Sequence, residues 1–170
     1  MKNVEIKATV KNIGIIIDIA KKLSASEGIV IKQEDTFFNV TQGRLKLRVF
    51  ESGDGELIYY ERPNIEGPKL SSFEKTDIPR DNVVGLRNVL EAALGSKHVV
   101  RKVRRLFLVG QTRIHIDTVE GLGDFMELEV CLKEGQSVNE GEKIAEDLME
   151  KLQVHKDNLI SGAYVDLLSI

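Results

Sequence analysis

The chain has 170 residues, of which 42% are hydrophobic and 30% are charged, and only three are prolines. This composition excludes a disordered, collagen-like or low-complexity chain and predicts one globular domain over residues 1–170. The formal charge is −3, from 24 basic and 27 acidic side chains. No overall basic excess is present for coating nucleic acid, so any anion site must be local.

The cysteine content and the N-terminus bear on the cellular compartment. The single cysteine, Cys131, cannot form an internal disulfide, and the first residues contain no apolar signal-peptide region. We therefore expect a cytoplasmic protein. The longest apolar run near the start, residues 13–17, is far shorter than the roughly 20 residues that span a bilayer, so no membrane segment is expected.

Alternation of polar and apolar residues with a period of two, which is typical of β-strands, recurs along most of the chain. It covers eight segments: 3–10, 33–40, 45–51, 57–62, 72–78, 98–109, 112–119 and 125–132. Residues 52–55, Ser-Gly-Asp-Gly, predict a hairpin loop, and residues 109–111 predict a second tight reversal. Adjacent strands are therefore expected to be antiparallel.

Helical spacing of apolar residues appears in three stretches, each with one apolar face. The stripes are Ile13, Ile16, Ile17, Ala20 and Leu23; then Leu86, Val89, Leu90, Ala93 and Leu94, followed by Gly95 as a stop; then Ile144, Ala145, Leu148, Met149 and Leu152. A short closing helix is expected around Tyr164. The three stripes need an apolar surface to cover.

The polar faces of the predicted strands are unusually rich in charge. The basic set is Lys7, Lys46, Arg48, Arg62, Lys75, Lys102, Arg104 and Arg113, and the acidic set is Glu5, Asp117, Glu127 and Glu129. For one pair alone, a solvated outer face would be the ordinary interpretation. Because the helices cover the apolar faces, however, the charged faces must point away from them, and closing eight strands turns those faces inward. We therefore predict an α+β fold: a closed eight-stranded antiparallel β-barrel, or tunnel, with a charged lumen and helices packed outside.

The charge balance of this predicted lumen indicates a ligand. Eight basic and four acidic side chains leave four positive charges, and a triphosphate carries about four negative charges near neutral pH. Carboxylates do not bind phosphate directly, so the acidic set is predicted to hold one or two hard divalent cations, Mg²⁺ or Mn²⁺. Ion pairs within the protein would satisfy the same balance and remain an alternative. No Walker phosphate loop or dinucleotide-binding glycine pattern is present.

The order of these charged motifs resembles a known family. Glu5-x-Lys7, Lys46-x-Arg48, Lys102-x-Arg104, Arg113 to Asp117 and Glu127-x-Glu129 follow the pattern of the CYTH superfamily, the triphosphate tunnel metalloenzymes, which includes class IV adenylyl cyclases and thiamine triphosphatases. The resemblance runs from Val4 to about Leu168. Residues 35–38, 45–48 and 121–125 look closest to the class IV cyclase-like branch.

The resemblance implies a role for each charged position. It implies that the triphosphate is bound by Lys46, Arg48, Arg62, Lys102, Arg104 and Arg113, and that the metal ion is bound by Glu5, Asp117, Glu127 and Glu129. Lys7, Glu5 and Lys75 are the catalytic candidates; Lys7 would contact phosphate or help to activate water. His115, between Arg113 and Asp117, is either a general acid or base or a hydrogen-bonded wall residue.

One position departs from the family signature Glu-x-Glu-x-Lys, because Asn3 stands where the first glutamate is expected. The predicted activity is metal-dependent hydrolysis of inorganic triphosphate or an organic triphosphate such as thiamine triphosphate or ATP. The alternatives are cyclisation of ATP to cyclic AMP and pyrophosphate, and a non-catalytic polyphosphate- or nucleotide-binding module, which Asn3 motivates. The expected partner is this small molecule, without nucleic acid or membrane, and the protein is expected to be a monomer or homodimer.

Overall fold

The computed structural model describes residues 1–168, which form eight strands, four α-helices and one short 3₁₀ helix. The strands are β1 (Lys2–Thr9), β2 (Ile29–Phe38), β3 (Arg44–Phe50), β4 (Gly55–Glu61), β5 (Lys69–Ile78), β6 (Ser96–Val109), β7 (Thr112–Val119) and β8 (Gly123–Cys131). The helices are α1 (Ile13–Ser24), α2 (Arg80–Leu94), α3 (Val138–Lys151) and α4 (Tyr164–Leu168), with the 3₁₀ turn at Lys156–Asn158.

The strands close into a barrel with the order β1-β5-β4-β3-β2-β6-β7-β8, in which β8 pairs again with β1. All eight pairings are antiparallel, so the predicted closed barrel is confirmed. Both predicted reversals are hairpins, with residues 51–54 joining β3 to β4 and Gly110 at the β6–β7 turn in the left-handed region at φ 57°. Closure leaves no unpaired sheet edge among the strands of residues 1–168.

The strand boundaries differ from the sequence prediction mainly in β2. This strand begins at Ile29 rather than at residue 33, because the apolar residues 29–31 pair with residues 104–106 of the long strand β6. Three consecutive apolar residues show no alternation, so the pattern could not reveal this part of the strand. At the other end, β2 stops at Phe38 after a register shift, and the Asn39 amide donates to the Gly95 carbonyl.

The alternation of side chains separates an outer apolar face from an inner polar one. On β1, Val4, Ile6 and Ala8 belong to the apolar core, whereas Glu5 and Lys7 line the interior cavity. Helices α1 and α3 cover this apolar face. The helices therefore lie outside the barrel and the charged faces lie inside, as predicted.

Helix α1 begins at a side-chain cap, since Asn12 Oδ1 accepts from the Ile15 amide, and it buries Ile16 and Ala20. Helix α3 packs closely on the barrel at Gly141, where an added Cβ would lie 2.6 Å from Leu132 and 2.7 Å from Val4. Its predicted stripe packs as expected. Among residues 1–168, no helix is long and apolar enough to cross a bilayer.

Helix α2 corrects part of the predicted stripe. Val83, which the stripe omitted, is its buried residue, and Leu86 and Leu90 pack beside it over β2 and β3. Val89, by contrast, is 64% exposed and Leu94 is 38% exposed. The helix touches the barrel along a narrower line than the apolar spacing suggested, while Gly95 ends it as predicted.

Candidate functional site

The barrel encloses a cavity of about 290 Å³ that is lined from every strand. Its basic lining residues are the eight predicted ones: Lys7, Lys46, Arg48, Arg62, Lys75, Lys102, Arg104 and Arg113. The acidic lining residues include the predicted Glu5, Glu127 and Glu129, together with Asp35 and Glu56, which the sequence analysis did not select. The remaining predicted residue, Asp117, is fully buried against Arg104 at the cavity wall.

Asp35 is the anion at the centre of the largest cation cluster. Arg48 donates to both of its carboxylate oxygens, at 2.8 and 2.9 Å, and the ammonium groups of Lys102 and Lys46 lie at 3.3 and 3.6 Å. Burial opposes ionisation of this carboxyl, but the three cations hold its pKa well below the usual range. Asp35 is therefore ionised, and it forms ion pairs with the same cations that were predicted to bind phosphate.

Arg104 forms the second cluster with Asp117 and Tyr164. Its guanidinium donates to both Asp117 oxygens at 2.7 and 2.8 Å, in the bidentate geometry that arginine makes with carboxylates. The Tyr164 hydroxyl donates to the same carboxylate at 2.9 Å. Burial opposes the charge on Arg104, yet Asp117 raises its pKa well above the ordinary value. Asp117 is thus engaged by protein donors on both oxygens.

Glu5 and Lys7 stand side by side on β1, and burial weakens the charge on both. Burial, reinforced by the negative charge of Glu129, raises the pKa of Glu5 to about 7, although Arg62 lies 3.1 Å away. Burial lowers the pKa of Lys7 to about 8, although Glu127 lies 3.6 Å away. Both groups therefore exchange protons near neutral pH, which suits a role in proton transfer.

His115 lies between two glutamates of the neighbouring strand. It is opposite Glu127 in the β7–β8 register, and its Nδ1 is 3.6 Å from Glu129 Oε1. Burial, reinforced by the positive charge of Arg104, lowers the pKa of His115 to about 3, so the ring is neutral. Neither ring nitrogen has a hydrogen-bond partner in the described chain, which contradicts the expectation of a hydrogen-bonded wall residue.

Lys75 and Glu56 form an ion pair of 2.9 Å at the outer part of the cavity, where the Lys75 side chain is 40% exposed. Arg113, in contrast, has a buried Nε without a hydrogen-bond partner among residues 1–168. Arg62 also has an unpaired Nε but already holds Glu5, whereas Arg113 makes no side-chain hydrogen bond or ion pair among residues 1–168. Arg113 is therefore the lining cation best prepared to accept a new anionic partner.

Helix α4 covers one end of the cavity with the Tyr164 side chain, which is 4% exposed. The Lys7 ammonium lies 4.0 Å from the centre of the Tyr164 ring, the Lys102 ammonium lies 5.3 Å from it, and Phe125 packs at 5.0 Å. Lys7 also donates to the Gly162 carbonyl at 3.4 Å. The chain after β8 thus returns to the barrel and closes this end.

The structure changes the predicted charge balance. Eight basic side chains line the cavity, against five acidic ones and the buried Asp117, which makes six acidic groups. The surplus is therefore two positive charges (eight minus six), not the four counted from the sequence, because Asp35 and Glu56 were missed. A bound divalent cation would restore a surplus of four.

The donor atoms fit a divalent metal ion at one place in the cavity. One ligand atom from each of His115, Glu127 and Glu129 lies within 4.8 Å of the others. Carboxylate oxygens suit Mg²⁺ and Mn²⁺, and an imidazole with no hydrogen-bond partner is a free donor. Of the other two predicted metal ligands, Glu5 is opposite Glu129 in the β1–β8 pair, whereas both carboxylate oxygens of Asp117 accept hydrogen bonds from Arg104.

A closed antiparallel barrel with an inward basic lining and a carboxylate-rich donor group defines a class of tunnel proteins. Comparison with known proteins identifies the family: the CYTH domain profile matches residues 1–164, and the chain belongs to the CYTH domain family.

The chain is also similar to individual proteins over its whole length. It is 30% identical over 178 aligned positions, covering 98% of both chains, to a Methanocaldococcus jannaschii protein named "putative adenylate cyclase". Among solved structures, the PH1012 protein of Pyrococcus horikoshii superposes with a TM-score of 0.82 at 21% identity, covering 97% of this chain and 98% of that one. A Vibrio parahaemolyticus protein, also titled a "putative adenylate cyclase", has a TM-score of 0.77 at 19% identity, covering 99% and 98%. These two structures are evidence for the shared fold.

Proposed function

We propose that the protein is a divalent-metal-dependent enzyme that hydrolyses a triphosphate inside the barrel. The observation that supports this proposal is the convergence of eight basic side chains and a three-residue donor group on one cavity. Membership in the CYTH family agrees with it. The chemistry needs little more than a bound phosphate chain, an oriented water molecule and charge neutralisation at the leaving group.

Each part of the lining has a proposed task. Arg113, Lys46 and Lys102 bind the phosphate chain, joined by Arg48, Arg62 and Arg104. Glu127 and Glu129, with Glu5 beside them, would hold a Mg²⁺ or Mn²⁺ ion, which would supply charge neutralisation at the phosphate chain. Asp117 would have to release Arg104 to bind metal, so its proposed task becomes the positioning of that guanidinium. Lys75 binds phosphate at the outer part of the cavity, where it now pairs with Glu56.

Glu5 and Lys7 are the proposed groups for proton transfer. A water oxygen attacks the terminal phosphorus, the bond from that phosphorus to the bridging oxygen breaks, and the proton of the water passes to one of these side chains. Inorganic triphosphate would yield orthophosphate and pyrophosphate. The pKa values of about 7 and about 8 place both groups close to the pH at which such a transfer is efficient.

Cyclisation of ATP is a second candidate because a relative that is 30% identical over 98% of the chain is named a "putative adenylate cyclase". In that reaction the ribose 3′-hydroxyl attacks the α-phosphorus and pyrophosphate leaves. The two reactions differ in their products. Purified protein incubated with ATP, thiamine triphosphate or inorganic triphosphate, with Mg²⁺ or Mn²⁺, releases orthophosphate if it hydrolyses and cyclic AMP with pyrophosphate if it cyclises.

A matched pair of variants tests the location of the site. Arg113→Met removes a lining cation without leaving a bidentate carboxylate unpaired, as removal of Arg104 would. It should weaken triphosphate binding about tenfold to hundredfold, the loss expected for about 1.5–3 kcal/mol from one charge-assisted contact. Arg101→Met removes an exposed cation that pairs with Glu34 outside the cavity, and it should bind as the unaltered protein does. Equal affinities in both variants would refute the cavity as the site.

Replacement of Asn3 by glutamate separates an enzyme from a binding module. Asn3 is 5% exposed and lines the cavity on the same face of β1 as Glu5. If a missing carboxylate limits the metal, Asn3→Glu raises both Mn²⁺ affinity and turnover. Tight triphosphate binding with no product from either form would identify a non-catalytic module instead.

A further inference from the structure

His115 is an unsatisfied polar side chain in the interior of the barrel. Its ring is 1% exposed, and neither Nδ1 nor Nε2 has a hydrogen-bond partner within residues 1–168. Buried side-chain polar atoms in proteins nearly always have a partner, and each exception calls for an explanation such as an ion. The outer face of β7 cannot supply the partner, because the ring points into the cavity.

Two carboxylates that could also bind a metal ion lie beside the ring on the adjacent strand β8. Glu127 and Glu129 project from one face of β8, and Glu127 is the direct partner of His115 in the register. The distance from His115 Nδ1 to Glu129 Oε1 is 3.6 Å, and the three ligand atoms lie within 4.8 Å of one another. A metal ion with bonds of roughly 2.0–2.2 Å spans donors about 3–4 Å apart, so small side-chain rotations complete the site.

The ion pairs with neighbouring cations leave carboxylate oxygens of Glu127 and Glu129 available to a metal ion. Lys7 and Arg104 approach Glu127 at 3.6 and 3.5 Å, and both contacts fall on Oε1, so that Oε2 remains as a donor. Among residues 1–168, Glu129 makes no ion pair with a lysine or arginine, and its close contact is with the neutral imidazole of His115 at 3.6 Å. Each of the three residues can therefore contribute a ligand without breaking the bidentate Arg104–Asp117 pair.

We infer that His115 is a nitrogen ligand of the metal ion in this cavity, and that the site therefore prefers a transition-metal ion such as Mn²⁺ or Co²⁺ to Mg²⁺. Imidazole suits transition metals, whereas Mg²⁺ takes oxygen ligands and keeps several waters. The inference deepens the proposed function, since it names the ion that the proposed enzyme would use. The inference also applies to the protein without substrate, because the three metal-ligand atoms lie close together in the absence of a phosphate.

The first measurement needs no variant and no substrate. Full-length protein is loaded with Mn²⁺ alone, and electron spin echo modulation is recorded. We expect nitrogen modulation from a coordinated imidazole. Manganese bound without nitrogen modulation would overturn the inference, because oxygen ligands alone would then hold the ion.

The second measurement compares metals by calorimetric titration in two histidine variants. His115→Asn should lower Mn²⁺ and Co²⁺ affinity at least tenfold and change Mg²⁺ affinity less than twofold, and nitrogen modulation should disappear. His98→Asn, a change of the same kind at an exposed position of β6, should leave all three affinities unchanged. A parallel loss of Mn²⁺ and Mg²⁺ affinity in His115→Asn would show that the ring only shapes the cavity.

The two proposals fail in different ways. Nitrogen modulation together with no product from any triphosphate would leave the metal site standing and refute the enzyme. Turnover supported equally by Mg²⁺ and Mn²⁺, with no nitrogen modulation, would leave the enzyme standing and refute the histidine ligand.

Discussion

Asp35→Asn is a substitution that should weaken the fold and strengthen ligand binding at once. Asp35 is 1% exposed and is the shared partner of Arg48, Lys102 and Lys46. Removing one member of a buried ionic cluster leaves the others uncompensated, which costs about 3–5 kcal/mol of unfolding free energy. The three cations, however, become available to phosphate.

The gain in affinity follows from the repulsion between Asp35 and a phosphate bound to the same cations. Two like charges about 6 Å apart repel by about 3 kcal/mol at an effective dielectric constant near 20. Part of this is lost because the freed cations are held less firmly. The remaining gain of about 1.4–2.7 kcal/mol corresponds to a tenfold to hundredfold lower Kd for inorganic triphosphate.

Chemical denaturation measures the first effect and calorimetric titration with inorganic triphosphate measures the second. The matched control is Glu34→Gln, the same loss of charge on the next residue of β2, whose side chain pairs outside the barrel with Arg101 at 3.1 Å and with Arg87 at 4.0 Å. These partly exposed pairs contribute about 1 kcal/mol or less, and triphosphate affinity should not change. Weaker triphosphate binding by Asp35→Asn, with an unaltered unfolding free energy, would refute Asp35 as a competing anion.

Three further outcomes are expected. Because burial lowers the pKa of Lys7 to about 8, the side chain is cationic below that pH and neutral above it, so triphosphate affinity measured by calorimetry should fall as the pH rises through 8, and Lys7→Met should remove this dependence. Tyr164→Phe deletes the 2.9 Å hydrogen bond to Asp117 and should lower the unfolding free energy by about 1–2 kcal/mol in denaturant titrations; an unchanged midpoint would contradict the contact. Gly141→Ala should lower the unfolding free energy by about 1–3 kcal/mol because the new methyl group would clash with Val4 of β1. Gly85→Ala, with open space around the new Cβ in α2, should raise it by up to about 1 kcal/mol, and thermal melts of both variants measure the two effects.

The barrel could be predicted from the sequence because single strands carry its signature. Over residues 3–8 of β1 and 126–130 of β8, the inward residues are polar and the outward residues are apolar, so the period of two assigns both faces. The alternation of polar and apolar residues does not identify a strand where the burial of successive side chains does not alternate. Ile29 and Val30 are more than half exposed at the extended end of β2, and nothing in their own sequence indicates the partner strand β6.

The site was only partly predictable for the same physical reason. Gln33, Glu34 and Asp35 are three consecutive polar residues, so alternation does not say which side chain faces the cavity. Glu56 precedes the predicted start of its strand. The contact of Tyr164 with Asp117 joins residues 47 positions apart and depends on the return of the chain to the barrel. Such positions become identifiable only when the closed barrel fixes the direction of each side chain.

The closure of one barrel end by the segment around Tyr164 has a consequence for long substrates. The Tyr164 ring, which is 4% exposed and lies beside the Lys7 and Lys102 ammonium groups, covers this end of the cavity, so a linear polyphosphate would enter from the opposite end. While the segment around Tyr164 stays in place, the cavity can bind a polymer only at its terminus, and the products must leave through the opening by which the substrate entered. An enzyme of this shape would trim chains from their ends and would not cut them in the middle.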